Sequence, residues 1–249
     1  MLGDGSDLRQ LTTDPALDVE PAWSPDGSQI VFVSSRADPN TLDLWVMNAD
    51  GSDQRSLLRI RGGLAMGPAW SPDGSKIALF SNSDGKFELY MIASDGTGLT
   101  NLTRNPANDS RPAWSPDGEK LAFVSDRDEG ENLYTLDLAT GQVTRLTYGL
   151  YADNLPKWSP DGTHILFASD RPGIKGIFTV AAGGGAEPVL AVSPALGDDS
   201  PVYAAGGQFI LFASQRTQDW ELYGVRTGTN AVVQLTSSKD YDRFPVWTP

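Results

Sequence analysis

The chain contains no cysteine, which excludes disulfide staples, zinc–thiolate centres and thiol nucleophiles together. Histidine is nearly absent too. His164 stands alone, with no paired acid or nucleophile beside it in sequence, and a lone histidine is weak ground for catalysis. No Gly-x-Ser-x-Gly nucleophile turn occurs. No apolar run approaches the ~18 residues of a membrane span, and no stretch keeps helical periodicity over ~11 residues. Basic residues are scarce: 19 Lys and Arg against 32 Asp and Glu leave a net charge of −13. That balance argues against nucleic acid and anionic membrane surfaces, both of which are held through Lys/Arg clusters. It favours cations or a basic protein segment, or simply keeps the fold in solution. The opening residues Met1 to Ser6 have neither a basic nor an apolar signal region. They are compatible with a cytosolic protein and equally with a mature or trimmed chain.

What is present is ordinary in amount and unusual in order. Apolar residues make up 39% and charged residues 20%, enough for a real core. The 26 Gly and 17 Pro fall at regular intervals and read as turn punctuation. Trp-Ser-Pro-Asp-Gly occurs four times, from Trp23, Trp70, Trp114 and Trp158. A degraded copy begins at Tyr203, and a truncated one at Trp247. Successive aromatic positions lie 47, 44, 44, 45 and 44 residues apart. A period of that size holds four short strands and their turns, which is one propeller blade.

Each repeat spells out the same blade. Strand a carries Pro-Ala-Trp, and Ser-Pro-Asp-Gly then makes a tight turn in which Pro presets φ and Gly takes a positive one. Strand b is apolar on both faces, as in Ile30-Val31-Phe32-Val33 and Leu121-Ala122-Phe123-Val124, so it must be buried on both. Strand c alternates around an aromatic, as in Leu133-Tyr134-Thr135-Leu136, and ends in a hairpin turn. Strand d is short and polar, as in Val143-Thr144-Arg145-Leu146-Thr147, which suits an outer edge. The expected fold is all-β: one β-propeller domain over residues 1–249, built of four-stranded antiparallel blades. Five complete blades are expected near 21–58, 68–103, 112–147, 156–190 and 201–236. A partial sixth would take strand d from 1–12 and strand a from 240–249. Strands a and d are not neighbours, so that blade would lack the hairpin between them. A five-blade closure with both ends outside is the other option.

The pattern Pro-Ala-Trp-Ser-Pro-Asp-Gly, then Ile-x-Phe-x-Ser-x-Arg, Leu-Tyr, Asp-Gly and Leu-Thr resembles the repeats of TolB-type β-propellers. Pro112 to Thr147 and Pro21 to Leu57 are the best copies. The resemblance implies a periplasmic or extracellular protein-binding module. Relatives fused to peptidases or acting as pectin-oligomer lyases show that the fold does not dictate function. The lyases hold a metal with several histidines, for which this chain offers only His164.

Two recurrences carry possible chemistry. A carboxylate stands three residues before the strand-a proline in five repeats, as Asp18, Asp109, Asp153, Asp198 and Asp242, with Ala65 in the second repeat. If these residues surround the channel mouth they form a ring of like charges. A basic peptide or a hard cation such as Ca²⁺ would relieve it, with Asp109, Asp153 and Asp198 as the metal ligands. Otherwise each carboxylate serves its own turn as a hydrogen-bond acceptor. Arg36, Arg127, Arg171 and Arg216 recur in Ser-x-Arg after strand b and are assigned to structure, with Ser83 breaking the pattern. Trp23, Trp70, Trp114 and Trp158 are expected as wedges between blades. The leading expectation is a non-catalytic scaffold binding a protein, peptide or cation at the channel mouth. The alternatives are a carbohydrate lyase or hydrolase using channel carboxylates, or the propeller portion of a larger protein.

Overall fold

A computed structural model describes residues 9–171, 173, 175–192, 195, 197–237 and 241–247. Among these residues twenty strands form five separate antiparallel sheets, each of four strands in sequence order. Blade one holds β1 (Asp18–Trp23), β2 (Gln29–Ser34), β3 (Asp43–Asn48) and β4 (Arg55–Leu58). Blade two holds β5 (Ala65–Trp70), β6 (Lys76–Ser81), β7 (Glu88–Ala93) and β8 (Thr100–Asn101). Blade three holds β9 (Asp109–Trp114), β10 (Lys120–Ser125), β11 (Asn132–Asp137) and β12 (Val143–Arg145). Blade four holds β13 (Asn154–Trp158), β14 (His164–Ser169), β15 (Gly176–Ala181) and β16 (Val189–Leu190). Blade five holds β17 (Asp199–Ala204), β18 (Phe209–Thr217), β19 (Asp219–Arg226) and β20 (Val232–Gln234). No helix among the described residues is long and apolar enough to cross a membrane.

The turn joining strands a and b explains why Trp-Ser-Pro-Asp-Gly is repeated whole. In blade one the Ser24 hydroxyl donates to Asp26 Oδ1 at 2.6 Å and accepts the Gln29 N–H at 2.9 Å. Asp26 Oδ1 also accepts the Ser28 N–H, and Gly27 takes φ +69°. These bonds hold the Asp26 carboxyl at about 2, the Ser24 hydroxyl contributing most. Asp73 and Asp161 make the same bonds and are held at about 2 as well.

The core lies between the blades. Strand b is buried on both sides, and its alternate residues pack on different neighbours. Val31 and Val33 of β2 join Ile77 and Leu79 of β6. Phe80 and Leu89 join Phe123 and Tyr134 of blade three. Ala122 and Val124 join Ile165 and Phe167 of blade four, while Leu166 and Ile177 join Ile210 and Phe212 of blade five. A sheet that presents both faces to such neighbours gives the apolar run seen in sequence.

The two ends depart from the expected strands. Residues 9–12 form no strand, and Leu8 lies outside the described residues with the rest of 1–8. Leu11 instead packs on Ile30, Phe32 and Met47 of blade one, and its carbonyl accepts from Gln54 Nε2 at 2.9 Å. Residues 241–247 form no strand either, while 240, 248 and 249 lie outside the described residues. The physical reason is that an innermost and an outermost strand cannot pair without the two between them.

Candidate functional site

Every strand a contains one residue too many for its partner. In blade one Val19 pairs with Val33 and Ala22 with Val31, so three steps on β1 match two on β2. The same slip recurs in β5, β9, β13 and β17. At the bulge the residue before the proline takes a left-handed φ: Glu20 52°, Gly67 57°, Arg111 56°, Leu155 56° and Ser200 52°. Such a φ is uncommon for a side-chain-bearing residue, and a bulge re-aims the side chain it carries. Proline fits beside it because the innermost strand has a free edge and needs no donor there. Phe244, before Pro245, repeats the conformation at 56° although its segment is not a strand. The Asp242 N–H donates to the Trp220 carbonyl at 2.8 Å, as the Asp109 and Asp153 N–H groups donate to Phe87 and Glu131.

The bulges converge on one central cavity of about 130 Å³. Its wall includes Pro21, Pro68, Pro112, Pro156, Pro201 and Pro245. Between the prolines stand Glu20, Gly67, Arg111, Leu155, Ser200 and Phe244, with Ala69, Lys157, Val246 and Phe80 completing the lining. Glu20 is engaged, since its Oε2 accepts the Gly67 N–H at 2.8 Å. Lys157 is exposed to the channel space, and the protein packed around that space pushes its ammonium below the ordinary range, with the charge of Arg111 adding to the shift. Towards the opposite mouth, Lys157 and Pro112 also border a space walled by Trp23, Trp70, Trp114, Trp158 and Tyr203. Burial, with the nearby Asp161 charge, pushes Tyr203 up to about 12.

The carboxylates singled out in sequence are not gathered around this cavity. Asp18 is held by Arg36 at 2.6 Å, Asp109 by Arg127 at 2.9 Å and Asp198 by Arg216 at 2.8 Å, and Asp153 is bonded to Arg171. Asp109, Asp153 and Asp198 are fully buried. Each pair closes within its own blade, and Ser169 adds a 2.6 Å bond to Asp153. The guanidinium groups lie over aromatic rings, Arg127 between Phe123 and Tyr134 at 5.3 and 4.9 Å, and Arg216 over Phe212 and Tyr223. Burial pushes the Asp198 carboxyl upward against the pull of Ser214 and Arg216. Asp242 enters its segment through the backbone bond already described. Ca²⁺ requires six to eight oxygens, and among the described residues no three His, Asp or Glu side chains gather closely enough to hold a metal. The residues present therefore do not fit the cation expected at Asp109, Asp153 and Asp198.

Three of the four tryptophans are staples between blades. Trp70 Nε1 donates to the Ala22 carbonyl at 3.2 Å, Trp114 to Ala69 at 2.9 Å and Trp158 to Ala113 at 3.0 Å. Trp23, half-buried, packs with Ile30 and Phe32 of its own blade. The sequence reading missed the cavity lining itself. Its signal was the residue before each strand-a proline, a position at which no two repeats agree: Glu20, Gly67, Arg111, Leu155, Ser200 and Phe244.

Five sheets of four antiparallel strands around a central cavity define a β-propeller. Residues 44–249 match the family model described as the TolB beta propeller domain, and the chain belongs to that family. A Tol-Pal system protein TolB of Anaeromyxobacter dehalogenans (strain 2CP-C) is 32% identical over 106 residues, which cover 43% of this chain and 24% of that protein. The chain thus matches about a quarter of the length of this curated relative. A TolB structure from Agrobacterium tumefaciens superposes with a TM-score of 0.81 at 26% identity, over 92% of this chain and 83% of that one. TolB from Acinetobacter baumannii shares the fold with a TM-score of 0.83 at 22% identity, over 97% and 59% of the two chains.

Proposed function

We propose that this chain is a non-catalytic binding scaffold, placed in the periplasm, that takes a protein or peptide segment at the mouth of its central channel. The observation that carries the reading is the contrast between frame and lining. One bulge geometry is repeated around the cavity, and the side chains it presents are all different: an acid, a glycine, an arginine, a leucine, a serine and an aromatic. A rigid repeat frame that displays unlike groups to one concave space suits recognition. Membership of the TolB propeller family and the Tol-Pal naming of the curated relatives point the same way. Recognition by a ring of free carboxylates has less support, because Asp18, Asp109, Asp153 and Asp198 are each answered by an arginine. We also read residues 242–247 as the innermost position of a six-place frame, supported by the Trp220 bond and the φ of Phe244.

The test is capture of partners by the intact protein, compared with Leu155→Trp, which fills the channel from its wall. Leu155→Trp is expected to lose the captured partner while keeping the wild-type melting temperature. Undiminished capture by a folded Leu155→Trp protein would remove the channel from the reading.

A further inference from the structure

We infer that the central channel holds an oxyanion, a carboxylate or phosphate group, between Arg111 and Lys157. The protein as a whole carries −13, yet the lining of its channel runs the other way. Three charged side chains border the cavity: Glu20, Arg111 and Lys157. Glu20 spends an oxygen on the Gly67 N–H of the next blade. Arg111 and Lys157 sit on adjacent innermost strands, β9 and β13, one just before a proline and the other just after. Neither forms an ion pair with a carboxylate among the described residues, in contrast to Arg36, Arg127, Arg171 and Arg216.

Two cations bordering one narrow space repel each other, and with Lys157 exposed to that space and Arg111 partly exposed, both are accessible to an anion entering the channel. The downward shift of Lys157 comes first from the protein around the channel and second from Arg111, which places the two cations within reach of each other's charge. An oxyanion satisfies both at once: a guanidinium fork offers two parallel donors to carboxylate or phosphate, and the ammonium adds a point charge. The proline wall contributes no N–H donors of its own, so the two side chains carry the recognition. A volume of about 130 Å³ admits a headgroup of a few heavy atoms, given about 30 Å³ for each liquid water. Leu155, Phe244 and Phe80 supply apolar wall beside it, which suits an anion attached to an apolar body such as the terminal carboxylate of a peptide. This deepens the proposed scaffold reading only in the source of the anion. The oxyanion site itself is tested with small molecules, whose binding does not depend on any protein partner.

The probes are sodium acetate, sodium phosphate, N-acetyl-leucine and N-acetyl-leucine amide, each compared with sodium chloride at equal ionic strength. Binding is followed by calorimetric titration and by the melting temperature, which a ligand of the folded state must raise. The acids are expected to bind and the amide and chloride to have no effect. Lys157→Gln and Arg111→Gln are each expected to weaken binding roughly tenfold or more, and Lys157→Arg to retain it. N-acetyl-leucine binding more tightly than acetate assigns the source to a chain terminus, and tightest binding by phosphate assigns it to a phosphate group. Either outcome supports the site. Equal binding of acid and amide, or wild-type affinity in the glutamine variants, would overturn it. Should a variant fail to fold, the Lys157 Nζ and Cε resonances of the unaltered protein decide the matter. They must move as acetate is added, and their constancy would sink the site.

Discussion

Asp109 carries its charge where no water reaches it, and Arg127 is its compensation. A buried pair of this kind gains little over a well-packed apolar substitute, but losing one partner strands the other at about 3–5 kcal/mol. Blade two shows the substitute. It has Ala65 where other blades have Asp, and Ser83 where they have Arg. There Ser83 hydrogen-bonds Tyr90 at 3.0 Å, and Tyr90 donates to Asp84 at 2.7 Å. Asp109→Ala alone and Arg127→Ser alone should each destabilise strongly. The double variant should cost about 2 kcal/mol less than the two effects added, measured by a denaturant double-mutant cycle. The turn carboxylates predict the acid limb of stability. Asp26, Asp73 and Asp161 are held at about 2, below an unfolded value of about 3.9, so the folded state binds fewer protons between those limits. Their contribution is complete above about pH 4 and is lost as the pH falls towards 2. Asp198 and Asp43, raised by burial, act in the opposite sense: the folded state takes up their protons first, so their contribution improves as pH falls through the raised values. Melting curves from pH 6 to 2 should therefore fall steeply only near the bottom of the range. Asp26→Asn with Asp161→Asn should flatten that fall.

At the scale of the element, strand a performs two tasks through one irregularity. Its regular part pairs with strand b and staples the neighbouring blade through tryptophan, and its bulge turns one residue towards the axis. Trp114→Phe keeps an aromatic ring, though a smaller one, and removes the bond to the Ala69 carbonyl. A loss of about 1 kcal/mol is expected by thermal or urea unfolding. The bulge in blade two is specialised. A Cβ added at Gly67 would lie 2.4 Å from Phe80 Cε1, and Phe80 is a core ring shared with blade three. Gly67→Ala must displace that ring and adopt a left-handed φ, so its melting temperature should drop clearly. Arg111→Ala changes a residue already in that conformation and should leave the melting temperature nearly unaltered. The pairing of Asp with Arg was legible in the repeat, because both recurrences break in the same blade, at Ala65 and Ser83. The bulge was not, because a register slip leaves no composition of its own.

At the scale of the whole molecule, the C-terminal segment joins the axis of the ring. The Arg243 guanidinium lies 2.9 Å from Asp199 and 4.1 Å from the Trp220 ring centroid, and Phe244 and Val246 border the central cavity. Removing residues 241–249 should take one of the two cations from Asp199, leaving Lys175 and the Ser200 N–H, and lower stability by about 2 kcal/mol, read by calorimetry. It should also weaken oxyanion binding by opening the apolar side of the channel. The five complete blades, their order and the buried strand b were determined by the sequence alone, because period, turn chemistry and two-sided burial are local demands that each repeat must meet. The same pattern placed Asp18, Asp109, Asp153 and Asp198 at matching positions, but it did not say which way they face. Only the tertiary structure decided that these acids turn to their own arginines while Arg111 and Lys157 turn to the axis. Side-chain direction at a bulge depends on register and on the neighbouring blade, and a single repeat contains neither.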